Sequence, residues 1–363
     1  MRIAIRVDAS SQIGTGHLMR CLTLADALQQ RGAQIRFVSR HMPDHLRDKL
    51  NTKGHEFSLL KSIPSKEIVD DSSHAHWLGV SQEQDATDTS QALSDQAWDW
   101  LIVDHYALDA RWERVLRNAV KRVLAIDDIA DRQHDCDVLL DQNYYTDMQT
   151  RYTGKGPAHC QLLLGPRYAL LRDEFRRVRE QVKPRNGPVK RILVFFGGVD
   201  PDNYTSRAIE ALANIGNSDL HVDVVIGAQH PHRAQTETAC AEHDFICHVQ
   251  TDRMAELMAA ADLAIGGGGS ATWERCSLGL PCVVGAVAQN QVQAAKDLSA
   301  FRAVKYIGAA QKITVGKLKQ EIEQACHQDW LNQASSLGLG LVDAQGVMRV
   351  IEIMEKKWQR IAY

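Results

Sequence analysis

A strand that runs straight into a glycine turn and an amphipathic helix opens this chain, and it restricts the fold more than any other stretch. Residues 2–7 (RIAIRV) read as an apolar strand, and around Gly14-Thr15-Gly16 the hydrophobic period changes from two to about 3.6. Leu18, Cys21, Leu22, Ala25 and Leu28 then share one helical face. The glycines permit the tight turn needed where backbone approaches a ligand. His17 falls in the first helical turn, where free amides and the positive end of the helix dipole favour anions. A histidine there, past the carboxyl end of a strand where open α/β sheets bind ligands, is either a packing or capping residue or a general base beside an anion site.

The alternation continues along the first half. Residues 33–39, 98–103 and 122–126 read as strands, with helices expected over 44–53 and about 109–120. Asp104-His105-Tyr106 and Asp127-Asp128 follow two of these strands, positions that suit either ligand contact or plain N-capping. Residues 62–96 are polar and carry His74 and His76; with no third ligand nearby, this reads as a solvated surface segment rather than a metal site. Residues 162–181 give a short strand, a Gly-Pro turn and a basic helical run, and 182–188 (VKPRNGP) form the best linker.

A second series starts with the apolar strand 190–196 (KRILVFF), ending in Gly197-Gly198-Val199-Asp200-Pro201 and a helix over 205–214. Strands over 222–227 and 245–249 and a helix over 253–261 follow. A strand at 262–265 then meets four glycines, 266–269, expected to be a loop, with Ser270-Ala271-Thr272 opening a helix. Such a loop exposes successive amides to a phosphate, although it is neither a Walker A sequence nor a dinucleotide fingerprint. Glu274, one turn into the helix, either complements its dipole or reaches the same ligand region. A strand at 281–285 leads to Ala288-Gln289-Asn290-Gln291, and a strand over 304–307 and helices over 314–327 and 346–360 complete the series. The expected fold class is α/β, with two Rossmann-like domains facing a cleft: 1–181, 189–345, and a terminal helix in 346–363 able to cross back to the first. A nucleotide-sugar suits such a cleft.

The 363 residues suffice for two such domains. A formal charge of −3 offers no attraction for nucleic acid or an anionic membrane, and neither is expected as a partner. Eight cysteines with no Cys-x-x-Cys pair suggest reduced, mostly buried thiols. The first apolar run carries Arg6, unlike a secretory signal, and no apolar stretch has the length of a membrane span, so a cytoplasmic location is expected.

Six segments are specific enough to compare with a family: RVDASSQIGTGHLMRCLTLADAL, DDIADRQHDCDVLLDQNYY, LLGPRYALLRDEF, GGVDPDN, GGGGSATWERCSLGLP and AQNQ. In this order, over nearly the whole chain, they resemble the UDP-2,4-diacetamido-2,4,6-trideoxy-β-L-altropyranose hydrolases of pseudaminic acid biosynthesis. The resemblance implies a GT-B fold, a UDP-sugar substrate and release of UDP by water. It implies His17 as the base, with Asp8 orienting that histidine or the sugar; Gly14 and Gly16 of the glycine turn and Tyr106 past the strand at 98–103 are further candidates for substrate contact. Gly268, Gly269, Ser270 and Ala271 would surround the diphosphate, Glu274 would hold the ribose hydroxyls, and Asn290 and Gln291 stand in the substrate motif. Water deprotonated by His17 would attack the anomeric carbon opposite UDP with inversion, while loop amides meet the charge growing on the leaving phosphate. No cofactor and no metal ion is implied. A glycosyltransferase on the same fold differs in placing an acceptor hydroxyl where the hydrolase places water, and a non-catalytic nucleotide-sugar-binding protein would bind without turnover.

Overall fold

The computed structural model describes residues 1–10, 12–61 and 74–359, so part of the polar stretch 62–96 lies outside the described residues. The chain divides into two compact units: Met1–Asn143, Asp147–Leu170 and Gly346 onward form unit 1, and Tyr144–Thr146 with Leu171–Gln345 form unit 2.

Unit 1 runs β1 (Arg2–Val7), α1 (Gly16–Gln30), β2 (Gln34–Ser39), α2 (Asp44–Thr52), β3 (Glu56–Leu59), α3 (Gln82–Ala92), β4 (Trp100–Asp104), α4 (Ala110–Leu116), β5 (Val123–Ile126), β6 (Val138–Asp141) and β7 (Gln161–Leu164). The strands pair in parallel in the order β3-β2-β1-β4-β5-β6-β7. Strands β4, β5 and β6 are buried at every residue, as a parallel sheet covered on both faces requires. Ile3, Ile5 and Ile102 pack with Leu18, Leu22 and Leu28 in one core, whereas Ala4, Leu101 and Val103 pack with Trp98, Trp112 and Leu116 in another. Strand order reverses between β1 and β4, the switch point at which such sheets open a ligand crevice.

Helix α3 corrects the reading of its stretch as solvated surface. Ser81 caps it by accepting from Gln84 N at 3.2 Å, and its buried side is held by charge. Fully buried Asp85 accepts from Arg6 at 2.8 and 3.1 Å and from Trp112 Nε1 at 3.0 Å. A helix docked through ion pairs leaves no apolar stripe in the sequence to reveal it.

Unit 2 comprises α5 (Asp173–Arg179), β8 (Arg191–Phe195), α6 (Tyr204–Ala213), β9 (His221–Ile226), α7 (Arg233–Glu242), β10 (Ile246–Val249), α8 (Met254–Ala260), β11 (Leu263–Gly267), α9 (Ala271–Ser277), β12 (Cys282–Ala286), α10 (Gln291–Ala300), β13 (Lys305–Ala309), α11 (Val315–Ala325) and α12 (Gln328–Leu341). Its parallel sheet has the order β10-β9-β8-β11-β12-β13, reversing between β8 and β11. Helix α5 belongs to this unit, so unit 1 ends its main run at Leu170 rather than at 181. Phe175 is fully buried, and Arg179 donates to the carbonyls of Ser277 and, at 2.7 Å, Leu339.

The four-glycine run is only half a loop. Gly266 and Gly267 are the last residues of β11, in register with Val284 and Gly285 of β12, and a Cβ on Gly266 would sit 2.1 Å from the Phe195 carbonyl oxygen of the adjacent strand. No side chain fits there, and the strand can continue only as glycine. Helix α13 (Gly346–Gln359) contributes Val350, Ile351 and Met354 to the core that holds Leu18. Its first residue lies so close to Ala169 that a Cβ would be 2.3 Å from the carbonyl oxygen. No described helix is long and apolar enough to cross a membrane.

Candidate functional site

At the switch point of unit 1, Val7 of β1 lies in register with Asp104, the last residue of β4. The chain leaving β1 turns at Gly14, whose φ of +78° suits glycine, and enters α1 at Gly16. One residue on, His17 directs Nδ1 at Asp104 Oδ1, 2.6 Å away. Asp104 is fully buried, while the His17 side chain keeps 11% exposure. Burial by itself would raise the Asp104 carboxyl, but Arg20 and then His17 outweigh it and hold the group well below the usual carboxylate range. An ionised carboxylate only accepts, so Nδ1 carries a proton, and in the neutral ring the lone pair is on Nε2.

Arg20, one turn after His17, grips Asp104 through Nε at 2.6 Å and Nη2 at 2.7 Å, and reaches Asp128 through Nη1 at 2.7 Å. Tyr106 donates its hydroxyl to Asp128 at 2.5 Å and stands edge-on to the His17 ring, with centroids 4.7 Å apart. Trp77 stacks on Tyr106 at 5.5 Å, and His74 packs against both rings. Tyr106, 3% exposed, is therefore a wall beside His17 whose hydroxyl is engaged by protein.

Asp8 does not orient His17. It is fully buried, accepting from Arg6 at 2.6 and 3.0 Å and from the backbone amides of Arg40 at 2.7 Å and His41 at 3.2 Å, with His105 Nε2 at 3.3 Å. Its oxygens are occupied by the network that also docks α3. The orienting acid is Asp104, whose signal in the sequence is its place at the end of an apolar strand. Arg20 had only its spacing of three from His17 to mark it.

At the switch point of unit 2, Gly268 and Gly269 are half-buried and Ser270 is exposed. Ser270 precedes α9 without a side-chain capping bond, and Ala271 is the first helical residue. Gln291 folds over this loop: its Oε1 accepts from Val287 N at 3.1 Å, and its Nε2 lies 3.4 Å from where a Gly269 Cβ would be. Beneath it, buried Arg275 donates from Nη2 to the Gly267 carbonyl at 2.6 Å and to Thr272 Oγ1 at 3.1 Å, tying strand end to helix start. Asn290 is exposed at the start of α10. Glu274 is 19% exposed and pairs with Arg172 at 3.4 Å; burial pushes its carboxyl up and Arg172 opposes the shift. The structure thus gathers Gly268, Gly269 and Gln291 in one unit and His17 and Tyr106 in the other, and it sets Asp8 apart.

Comparisons with known proteins agree with this architecture. Residues 191–336 match the glycosyltransferase family 28 C-terminal domain. The chain is 25% identical over 301 residues to an uncharacterized protein of Methanocaldococcus jannaschii, covering 81% of this chain but 57% of that protein. It is 22% identical to the spore coat polysaccharide biosynthesis protein SpsG of Bacillus subtilis, over 99% of both chains. It is 25% identical over 213 residues, 58% of this chain and 66% of the relative, to the UDP-2,4-diacetamido-2,4,6-trideoxy-β-L-altropyranose hydrolase of Campylobacter jejuni. Among solved structures, Acinetobacter baumannii MurG superposes with a TM-score of 0.65 at 16% identity, covering 98% of this chain and 99% of that one. With two parallel-sheet α/β units and this full-length likeness, the chain has the GT-B fold, and residues 191–336 are similar to the glycosyltransferase family 28 C-terminal domain.

Proposed function

We propose that this protein is a nucleotide-sugar hydrolase that releases UDP from a 2,4-diacetamido-2,4,6-trideoxy sugar by attack of water at the anomeric carbon with inversion. The observation that carries the reading is the 2.6 Å contact between His17 Nδ1 and buried Asp104, which leaves Nε2 as a proton acceptor. Nε2 takes a proton from water as its oxygen bonds to the anomeric carbon. The carbon–oxygen bond to UDP breaks, its electron pair leaves on the phosphate, and Asp104 stabilises the imidazolium. In unit 2, Gly268, Gly269, Ser270 and Ala271 receive the diphosphate, Glu274 the ribose, and Asn290 and Gln291 complete the substrate contacts. The Campylobacter relative bears the name of this activity, and the sequence segments set out above resemble its family.

A glycosyltransferase using an acceptor hydroxyl is the second reading, favoured by the family 28 domain at 191–336. One experiment separates the two and tests the bond broken: single turnover of the UDP-sugar in ¹⁸O-water without acceptor. Hydrolysis at carbon places the label in the sugar and inverts the fresh anomer, because one base and one displacement form no covalent intermediate. Label in UDP refutes attack at carbon, and no UDP release without an acceptor favours the transferase.

A further inference from the structure

Asp104 is shared, and the manner of sharing assigns a task to a residue that touches no substrate in the mechanism above. Its Oδ1 accepts both from His17 Nδ1 at 2.6 Å and from Arg20 Nη2 at 2.7 Å, and its Oδ2 accepts from Arg20 Nε at 2.6 Å. Arg20 Nη2 comes within 3.2 Å of His17 Nδ1, so the guanidinium charge lies beside the ring as well as on the carboxylate. The remaining Arg20 nitrogen, Nη1, is anchored at 2.7 Å by Asp128, which Tyr106 holds in turn. With its side chain 7% exposed, Arg20 is shielded from solvent screening.

We propose that Arg20 is a positioning residue that divides the Asp104 carboxylate with His17 and thereby sets the pH range over which His17 Nε2 can accept a proton. This rests on the hydrolase reading for its catalytic meaning. A buried carboxylate facing an imidazole favours the imidazolium, a cation beside the ring disfavours it, and here one arginine supplies that cation while saturating the carboxylate. Among the described residues, the groups around His17 include Asp104 from the end of β4, Arg20 from α1, Tyr106 from the segment after β4, and Trp77 with His74 behind it. Asp128 acts through Arg20, and Cys21 Sγ reaches Asp104 Oδ2 at 3.5 Å. Arg20 is the cation in this set at neutral pH. Its removal leaves Asp104 unbalanced against His17.

The test follows the His17 ring by NMR in ¹⁵N-histidine-labelled full-length protein without substrate, its signals assigned by loss in His17→Asn. In Arg20→Met and in Arg20→Gln, which keeps a donor but not the charge, the His17 titration midpoint should rise by about one to three pH units. Arg20→Lys should restore most of the wild-type midpoint. The acid limb of kcat/KM for UDP release should move by the same amount, with activity recovering at high pH. A purely structural arginine would lower activity evenly across pH and leave the midpoint in place, and an unchanged midpoint in either folded variant overturns the proposal. If Arg20→Met does not fold, Arg20→Gln and Arg20→Lys decide it. Because the titration needs no turnover, failure of the hydrolase reading and failure of the Arg20 proposal are separate results.

Discussion

His17 and Asp104 stand 87 positions apart in the chain, yet their side chains meet at 2.6 Å because β1 and β4 are neighbours in the sheet. The pairing fixes the imidazole tautomer. Asp104→Asn can offer the ring an N–H instead of an acceptor, and kcat should fall by about 10² to 10⁴. His17→Asn should lose at least as much, and the double variant little more, since the two residues act as one unit. UDP binding measured by calorimetry should be retained in all three. Near-normal turnover of Asp104→Asn would remove the dyad from the mechanism.

Glu274 faces Arg172 at 3.4 Å and remains partly open to solvent, so the ribose contact proposed for it can be tested. A charge-assisted hydrogen bond is worth about 1.5–3 kcal/mol, so Glu274→Ala should weaken UDP roughly ten- to a hundredfold. Calorimetry reads this directly. Unchanged affinity would assign Glu274 to its ion pair and helix alone.

The glycine run should divide into two behaviours. Gly266→Ala puts a methyl 2.1 Å from the Phe195 carbonyl oxygen, where only backbone could move, and should cost unit 2 about 3 kcal/mol or more. At Gly269 the nearest atom is the Gln291 amide at 3.4 Å, so Gly269→Ala should fold with near-normal stability and fail instead in UDP affinity. Urea denaturation beside UDP titration distinguishes the two. Equal stability of both variants would contradict the strand assignment of Gly266.

His134 gives unit 1 a pH-dependent term. Burial opposes its protonation, but Asp127 and Glu113, the latter 2.8 Å from Nδ1, prevail and raise it to about 9. Against an unfolded value of about 6.5, that is on the order of 3 kcal/mol, fully present below about pH 6.5 and lost as pH rises through about 9. His134→Gln should therefore be less stable than wild type at pH 6, with the gap closing by pH 10. Urea midpoints across that range check it, and a constant gap would show that the difference is packing alone.

The sequence by itself determined the α/β class, the doubled strand–helix series and the place of His17 at the start of a helix. These are properties of neighbouring residues: apolar period and glycine turns act over a few positions. It did not determine which acid serves His17. Asp8 is nearer in sequence and is expected there to orient either His17 or the sugar, but Arg6 and two backbone amides consume it, and Asp104 arrives from β4. Nor could composition show that Gly266 and Gly267 extend a strand, since that follows from pairing with β12, and at Gly266 also with Phe195 of β8, more than seventy residues earlier. Helix α3 stayed hidden because Asp85 docks it on Arg6, and ion-pair partners are chosen by sheet order. Local periodicity fixes elements, whereas a buried charge is decided by whichever strand ends beside it, and only the folded sheet makes that choice.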